Sequence, residues 1–111
     1  MLRAGGYDVL IARSGEEGMA QATAQKPDVI IMDIVMPGLN GFQATRELAR
    51  NADTATIPVI MMSTKGQETD RIWGLRQGAF EYLVKPVKKA TLLRTVASAL
   101  AREPVPVQGR S

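Results

Sequence analysis

Short apolar runs alternate along the chain with segments of helical periodicity. The runs that predict buried strands are Asp8–Ala12, Asp28–Met32, Pro58–Met62 and Glu81–Val84. Helices are expected at about residues 14–25, 42–50, 67–77 and 88–102. Strands that are apolar throughout and alternate with helices are typical of a parallel sheet covered on both faces. The predicted fold class is therefore α/β, doubly wound.

Local signals mark several element boundaries. Residues 14–17 read S-G-E-E, the capping-box pattern of a helix start, and Pro27 ends that helix. Pro37-Gly38 and Asn40-Gly41 predict a tight loop after the second strand. Gly78 is placed to end the third helix.

Composition narrows the class of protein. The chain has 111 residues, enough for one domain, expected over residues 1–102 with a flexible tail at 103–111. It has no cysteine and no histidine, which excludes disulfides, thiolate metal sites and histidine catalysis. No apolar run approaches the roughly 18–20 residues of a membrane span, and no secretory signal is present, so a cytoplasmic protein is expected. The net charge of +3 comes from scattered basic residues, which gives little support for nucleic-acid binding.

Polar groups follow three of the predicted strands, at Asp33, at Ser63-Thr64 and at Lys85-Pro86. In a parallel sheet these ends share one edge, where ligands bind. A carboxylate can attack a phosphoryl group, while a lysine and a hydroxyl stabilise the anionic transferred group. The Lys85–Pro86 bond is also a candidate cis peptide. Taken singly, each residue favours an ordinary turn, but the three ends together favour a site.

Three segments carry a resemblance to a known family. They are MDIVMPGLNG around Asp33, PVIMMST at 58–64 and GAFEYLVKP at 78–86. Together they resemble the receiver domain of two-component response regulators, the kind seen in the chemotaxis regulator. The similarity covers about residues 7–100. The stretches GLNGFQATRELA and KGQETDRIWGLRQGA look closest to the single-domain regulators of twitching motility, which act with type IV pili.

The resemblance implies a role for each matching position. Asp33 would accept a phosphoryl group from a sensor histidine kinase, and Lys85 would contact that group. Ser63 would be the switch hydroxyl, and Tyr82 the aromatic residue that changes rotamer with it. Mg²⁺ would be held by Asp33 and the backbone carbonyl of Val35. The positions beside the phosphoryl group are Thr64 and Pro86. Such a protein is a phosphoacceptor and not a turnover enzyme.

The last strand and the last two helices resemble the family's output surface for a downstream protein. The candidate partner-facing residues are Arg71, Leu75, Tyr82, Lys88 and Lys89. For Trp73 and Leu75, burial in helix packing is an equally good interpretation. No nucleic-acid or membrane partner is expected, and the oligomeric state stays open, with a dimer as one option.

The start of the chain departs from the family. The family opens with a buried strand and an acidic pair, whereas residues 1–7, MLRAGGY, resemble only the end of the first helix. The acidic pair supplies oxygens to Mg²⁺, so weak metal binding and impaired phosphorylation are expected. A missing strand would leave unpaired edges. Three explanations stay open: a misassigned start, a fragment, or a sheet closed another way, by direct pairing of Asp8–Ala12 with Asp28–Met32 or through a second chain.

Three other function classes compete with the phosphorylated switch. A pseudo-receiver would bind partners without taking phosphate, which the missing acids favour. An aspartyl phosphatase would need a second acid two residues after Asp33, where this chain has Val35. A flavin or nucleotide carrier would need a glycine-rich phosphate loop, and residues 13–15, Arg-Ser-Gly, are too short a signal.

Overall fold

One sheet with helices packed against it accounts for the described part of the chain. The computed structural model describes residues 2–34 and 39–101, and within these ranges five strands and four helices occur. In chain order they are β1 (Leu2–Ala4), β2 (Tyr7–Ala12), α1 (Gly15–Gln25), β3 (Val29–Asp33), α2 (Leu39–Arg50), β4 (Val59–Ser63), α3 (Glu68–Arg76), β5 (Glu81–Val84) and α4 (Lys89–Ala101). The expected turn at Pro37-Gly38 and the expected tail at 103–111 lie outside the described residues.

The strands lie in the order β1-β2-β3-β4-β5, and β2 to β5 are all parallel. The predicted α/β fold is therefore confirmed. The interpretation of residues 2–4 as the end of a helix is wrong, because they form a strand antiparallel to β2. Gly5 and Gly6, with φ of 59° and 86°, form the two-residue turn between these strands. Two consecutive residues with positive φ are what a tight hairpin turn requires, and glycine adopts them without strain.

β2 pairs directly with β3, without an intervening strand. Their register runs from Val9 opposite Val29 to Ala12 opposite Met32. Two hydrogen bonds fix its start: the Asp28 backbone N–H donates to the Asp8 carbonyl at 2.9 Å, and the Asp8 N–H donates to Asp28 Oδ2 at 2.7 Å. The sheet is therefore continuous here, and the unpaired edges expected between these two strands do not occur. Direct pairing of these two strands, one of the two ways of closing the sheet that the sequence analysis left open, is the arrangement that occurs.

Alternate residues of the strands face two separate cores. On one side Ile30, Met32 and Met61 pack with α1 and α2, through residues such as Ala22 and Leu48. On the other side Val29, Ile31 and Ile60 pack with Ala99 of α4. Helices thus cover both faces, as predicted, because each buried strand is apolar at every position.

The second face is less completely covered than the first. Among the described helices α4 is the one that packs on it. Ile11 of β2 is 37% exposed, whereas Val9 of the same strand is buried in this core. No helix within residues 2–34 or 39–101 combines the length and the apolar character needed to cross a membrane.

Several helix ends follow the sequence signals, but the loop predicted at Asn40-Gly41 is wrong, because both residues lie in the first turn of α2. The Ser14 hydroxyl accepts the Glu17 N–H at 3.1 Å, as the capping box predicts. The Glu17 carboxylate accepts the backbone N–H of Arg13 at 3.3 Å, one residue earlier than in the standard motif. At the end of α2, the buried Thr54 hydroxyl donates to the Leu48 carbonyl at 2.8 Å. This bond satisfies a carbonyl that the helix itself leaves unpaired.

Two glycines let helices approach the sheet closely. A Cβ at Gly74 of α3 would lie 2.9 Å from Cδ2 of Tyr82 and 3.3 Å from Sδ of Met61. A Cβ at Gly18 of α1 would lie 2.8 Å from Cε of Met32. The Tyr82 ring beside Gly74 can move less than the Met32 side chain beside Gly18. The reason is that the Tyr82 hydroxyl donates a hydrogen bond to the Lys65 carbonyl.

We expect Gly74→Ala to destabilise the protein by about 1–3 kcal/mol, the usual cost of overpacking a core. Gly18→Ala is the matched control. Its Cβ meets the end of a flexible methionine, and alanine gains up to about 1 kcal/mol of helix propensity over glycine. Urea unfolding of both variants measures the difference. Equal losses of stability in the two would show that the tethered ring does not limit the approach of α3.

Candidate functional site

The register of the sheet brings the three polar strand ends to one edge. Asp33 of β3 lies opposite Met62 of β4, and Ser63 lies opposite Val84 of β5. The backbone N–H of Lys85 donates to the Ser63 carbonyl at 2.7 Å, which extends the β4–β5 pairing by one step. Asp33, Ser63 and Lys85 therefore belong to one rim, as the sequence predicts.

Asp33 and Lys85 form an ion pair at this rim, between Oδ1 and Nζ. The side chains are 19% and 25% exposed, so both charges sit at the boundary between core and solvent. Within the described ranges, Asp33 Oδ1 accepts no hydrogen bond, so the ammonium group is what balances its charge. The result is a carboxylate at the edge of the core whose Oδ1 is buried and has a cation beside it.

Ser63 and Tyr82 both hold the segment that follows β4. The buried Ser63 hydroxyl accepts the Lys65 N–H at 3.1 Å, and the Tyr82 hydroxyl donates to the Lys65 carbonyl at 2.9 Å. Thr64, between Ser63 and Lys65, is exposed. As predicted, the peptide bond between Lys85 and Pro86 is cis. Lys65 was not anticipated, because its contribution is a backbone amide that no sequence motif reveals.

Tyr82 is 2% exposed, and this burial raises the pKa of its phenol above the usual value. The hydroxyl of Ser63 lowers that pKa, while the charge of Asp70 raises it, and burial is the largest cause. The phenol is therefore neutral at physiological pH and available as a hydrogen-bond donor. In this conformation Tyr82 points into the protein, so its predicted partner-facing position is corrected.

The other residues predicted for the output surface differ in how exposed they are to solvent and in whether they are paired within the chain. Lys88 and Lys89 are exposed, and Leu75 is half-buried. Trp73 is 50% exposed, so its interpretation as a buried packing residue is wrong. Arg71 is occupied within the chain, since its guanidinium lies 3.4 Å from Glu81 and 3.8 Å from Glu68.

Glu81 is a residue that the sequence analysis missed. It is buried in β5, and its carboxylate also accepts the backbone N–H of Tyr82 at 2.9 Å. The sequence signal for Glu81 was an acidic residue at the start of an otherwise apolar strand. Through Arg71, this carboxylate ties the strand that carries Tyr82 to α3.

The donor set at the rim does not fit a tightly held Mg²⁺. The ion takes near-octahedral oxygen coordination and commonly uses more than one protein oxygen. The described residues contain no group of three or more acidic, histidine or cysteine side chains that could hold a metal. Asp33 already contacts an ammonium group, and the expected ligand Val35 lies outside the described residues.

Comparison with known proteins agrees with this geometry. The family model of the response regulator receiver domain matches residues 1–97. Protein PilH of Pseudomonas aeruginosa PAO1 is 58% identical over 101 residues, which cover 91% of this chain and 84% of that protein. The transcriptional regulator RpaA of Synechocystis sp. is 40% identical over 101 residues, 91% of this chain but 42% of that protein.

Solved structures give the same result. A response regulator from Chloroflexus aurantiacus superposes with a TM-score of 0.77 at 27% identity, covering 86% of this chain and 98% of that one. The receiver domain of the sensor histidine kinase PA1611 from P. aeruginosa, whose structure has a magnesium ion in its active-site cleft, has a TM-score of 0.73 at 24% identity, with the same coverages of 86% and 98%. At that identity the second likeness shows the fold alone. From the family model and the PilH relative, we conclude that this chain belongs to the response regulator receiver domain family.

Proposed function

We propose that this receiver domain is a phosphoacceptor switch in which Asp33 takes a phosphoryl group from a histidine kinase. The observation that supports this most is the ion pair between Asp33 and Lys85 at the open edge of the sheet. A half-buried carboxylate paired with a cation can act as a nucleophile, and the cation can stabilise the dianionic phosphoryl group of the product.

The transfer is a substitution at phosphorus. A carboxylate oxygen of Asp33 forms the new P–O bond while the P–N bond to the kinase's phosphohistidine breaks, and the leaving imidazole nitrogen keeps the electron pair. Lys85 neutralises part of the charge on the phosphoryl oxygens. The Ser63 hydroxyl donates a hydrogen bond to one of those oxygens once its side chain turns toward them.

The switch we propose follows from what Ser63 leaves behind. Its hydroxyl now accepts the Lys65 N–H, so a turn toward the phosphoryl group breaks that bond. Lys65 is also held by Tyr82, and the neighbouring Glu81 is paired with Arg71 of α3. A change at Ser63 would therefore reach β5 and the last two helices, which are the proposed output surface for a downstream protein.

The pathway we propose is twitching motility driven by type IV pili, in the cytoplasm. The support is the similarity of residues 38–49 and 65–79 to single-domain regulators of that system, and the 58% identity to PilH. The partners would be a sensor histidine kinase and a downstream protein, with no nucleic acid involved.

A second candidate is a protein-binding module that does not take phosphate. The poor fit of the rim to Mg²⁺ favours it, because developing phosphoryl charge is less neutralised without a divalent cation. The two candidates differ in whether Asp33 ever becomes modified, and a direct experiment separates them.

We expect the purified chain treated with acetyl phosphate and Mg²⁺ to gain one phosphoryl mass, slowly, on Asp33. Asp33→Asn should show no gain. Asp53→Asn, a change at an exposed aspartate, should be modified like the wild type. Intact-mass spectrometry measures all three. An unmodified wild type would overturn the phosphoacceptor proposal in favour of the binding module, and a gain in Asp33→Asn would place the acceptor elsewhere.

We expect Mg²⁺ alone to bind weakly, because the rim offers one carboxylate and Lys85 already contacts it. Amide chemical shifts of Asp33 and Ile34 should change little at millimolar Mg²⁺. Lys85→Ala should strengthen the response, since it removes the competing ammonium group. Saturable binding to the wild type at micromolar Mg²⁺ would contradict this account of the site.

We expect stability to depend on Tyr82 at high pH. Its folded-state pKa is raised above the unfolded value near 10, so the buried phenol stabilises the fold fully below that pH. This contribution is lost as pH rises through the folded-state pKa. Urea midpoints of wild type and Tyr82→Phe, measured from pH 8 upward, should converge above pH 10, whereas Tyr7→Phe, at an exposed tyrosine, should run parallel to wild type. Parallel curves for Tyr82→Phe would refute the assignment.

A further inference from the structure

Three arginines from two helices line one cleft, far from the rim in sequence. Arg46 and Arg50 of α2 and Arg76 of α3 border a cavity of about 430 Å³ between the ends of these helices. Arg46 and Arg50 also border an adjoining cavity of about 460 Å³. All three side chains are exposed. We call this surface, together with Phe42 and Trp73 described below, the α2–α3 groove.

Within residues 2–34 and 39–101, no ion pair balances the charge of the groove. In the described part of the protein, Arg3, Arg71 and Lys85 make ion pairs, but the three groove arginines make none. Among the described residues that line either cavity, Glu47 is the one with a carboxylate. It borders the 460 Å³ cavity and forms no ion pair. The groove therefore has a local excess of positive charge that is available to an external anion.

An aromatic pair, the exposed Trp73 and the half-buried Phe42, continues the same helix faces. Trp73 is 50% exposed and meets Phe42 edge to face, with ring centroids 6.4 Å apart. Phe42 lies one helical turn before Arg46, and Trp73 lies three residues before Arg76, so each aromatic neighbours an arginine on its own helix. Tryptophan and arginine are among the residue types that contribute most to binding energy at protein–protein interfaces.

The walls of the groove are held in place before any partner binds. Gly78, at φ 107°, brings the turn after α3 against α2, where a Cβ would lie 2.7 Å from that of Ala49. Thr54 ties the chain after α2 back to the Leu48 carbonyl. The backbone of the groove is therefore ordered before binding, so the cost of ordering falls on its exposed side chains and on the partner.

We propose that the α2–α3 groove docks an acidic segment of a partner protein, with an apolar side chain of that segment against Trp73. Charge complementarity selects this occupant. A second copy in a symmetric pair would oppose the same arginines, which repel. The groove includes Trp73 and Arg76 of α3, a helix of the proposed output surface, but none of the candidate partner-facing residues named for that surface. As a binding site it goes beyond the phosphoacceptor function and is tested separately from it.

The test uses the full chain and two synthetic peptides of equal length. One carries a single phenylalanine flanked by glutamates, and the other has glutamine in place of each glutamate. Trp73 is the only tryptophan of the chain, so its fluorescence reports the groove directly. We expect a saturable blue shift with the acidic peptide, no shift with the glutamine peptide, and weaker binding as salt is raised.

Variants locate the binding. The double change Arg50→Gln, Arg76→Gln should weaken the acidic peptide by about two- to fivefold for each arginine removed, as expected for exposed charge pairs. Arg94→Gln, at an exposed arginine of α4, should leave the affinity unchanged. All affinities are measured without a phosphoryl donor, which separates this result from any failure of phosphorylation. A glycine in place of the peptide's phenylalanine should lower affinity and remove the blue shift.

Four outcomes would overturn the proposal. They are equal binding of the two peptides, unchanged affinity in the double arginine variant, an equivalent Trp73 response to inorganic pyrophosphate alone, and a shift that depends on protein concentration without peptide. The third would make the groove a site for small phosphate anions, and the fourth an interface between copies of this chain.

Discussion

The hydrogen-bonded ladders on both sides of β3 are the constraint on which the rest of the structure depends. β3 is the middle strand, paired with β2 on one side and β4 on the other. A slip of one residue would exchange the faces of Ile30 and Ile31 and so mix the two cores. It would also move Asp33 out of step with Met62, and with it the contact to Lys85. Core packing and site geometry are thus set by one register.

The same strand explains why a charge sits where it does. Four apolar residues of β3 are buried, and Asp33 comes at the point where burial ends. A fully buried pair would lose about 3–5 kcal/mol if one partner were removed, whereas a surface pair contributes about 0–1 kcal/mol. With exposures of 19% and 25%, the pair of Asp33 and Lys85 lies between these limits. It is coupled strongly enough to fix Lys85, yet open enough to react.

Local patterns in the sequence carried much of this architecture. Four strands, the capping box at Ser14 and the shared rim followed from apolar runs and turn residues that act over a few positions. The hairpin strand β1 did not, because residues 1–7 were interpreted as the end of a helix, so Gly5-Gly6 was not recognised as the turn between two strands. Direct pairing of β2 with β3 joins segments about twenty residues apart, so the sequence left it as one alternative among three. The exposure of Trp73 depends on Phe42 of another helix, which no pattern within α3 encodes.

Helix α3 connects the rim with the α2–α3 groove, because its faces have different neighbours. Its start follows the segment held by Ser63 and Tyr82, and its Arg71 is fixed to Glu81 of β5. Its Trp73 and Arg76 lie on another side and belong to the α2–α3 groove. A helix of nine residues moves as one body, so a displacement of its start by a phosphoryl group would also displace the groove. By linkage, an occupant of the groove that prefers one position of α3 would change the affinity of the rim for phosphate by the same factor. Such coupling requires differential contacts in the two positions, and the ion pair of Arg71 with Glu81 is the contact that any movement of α3 must break or carry along.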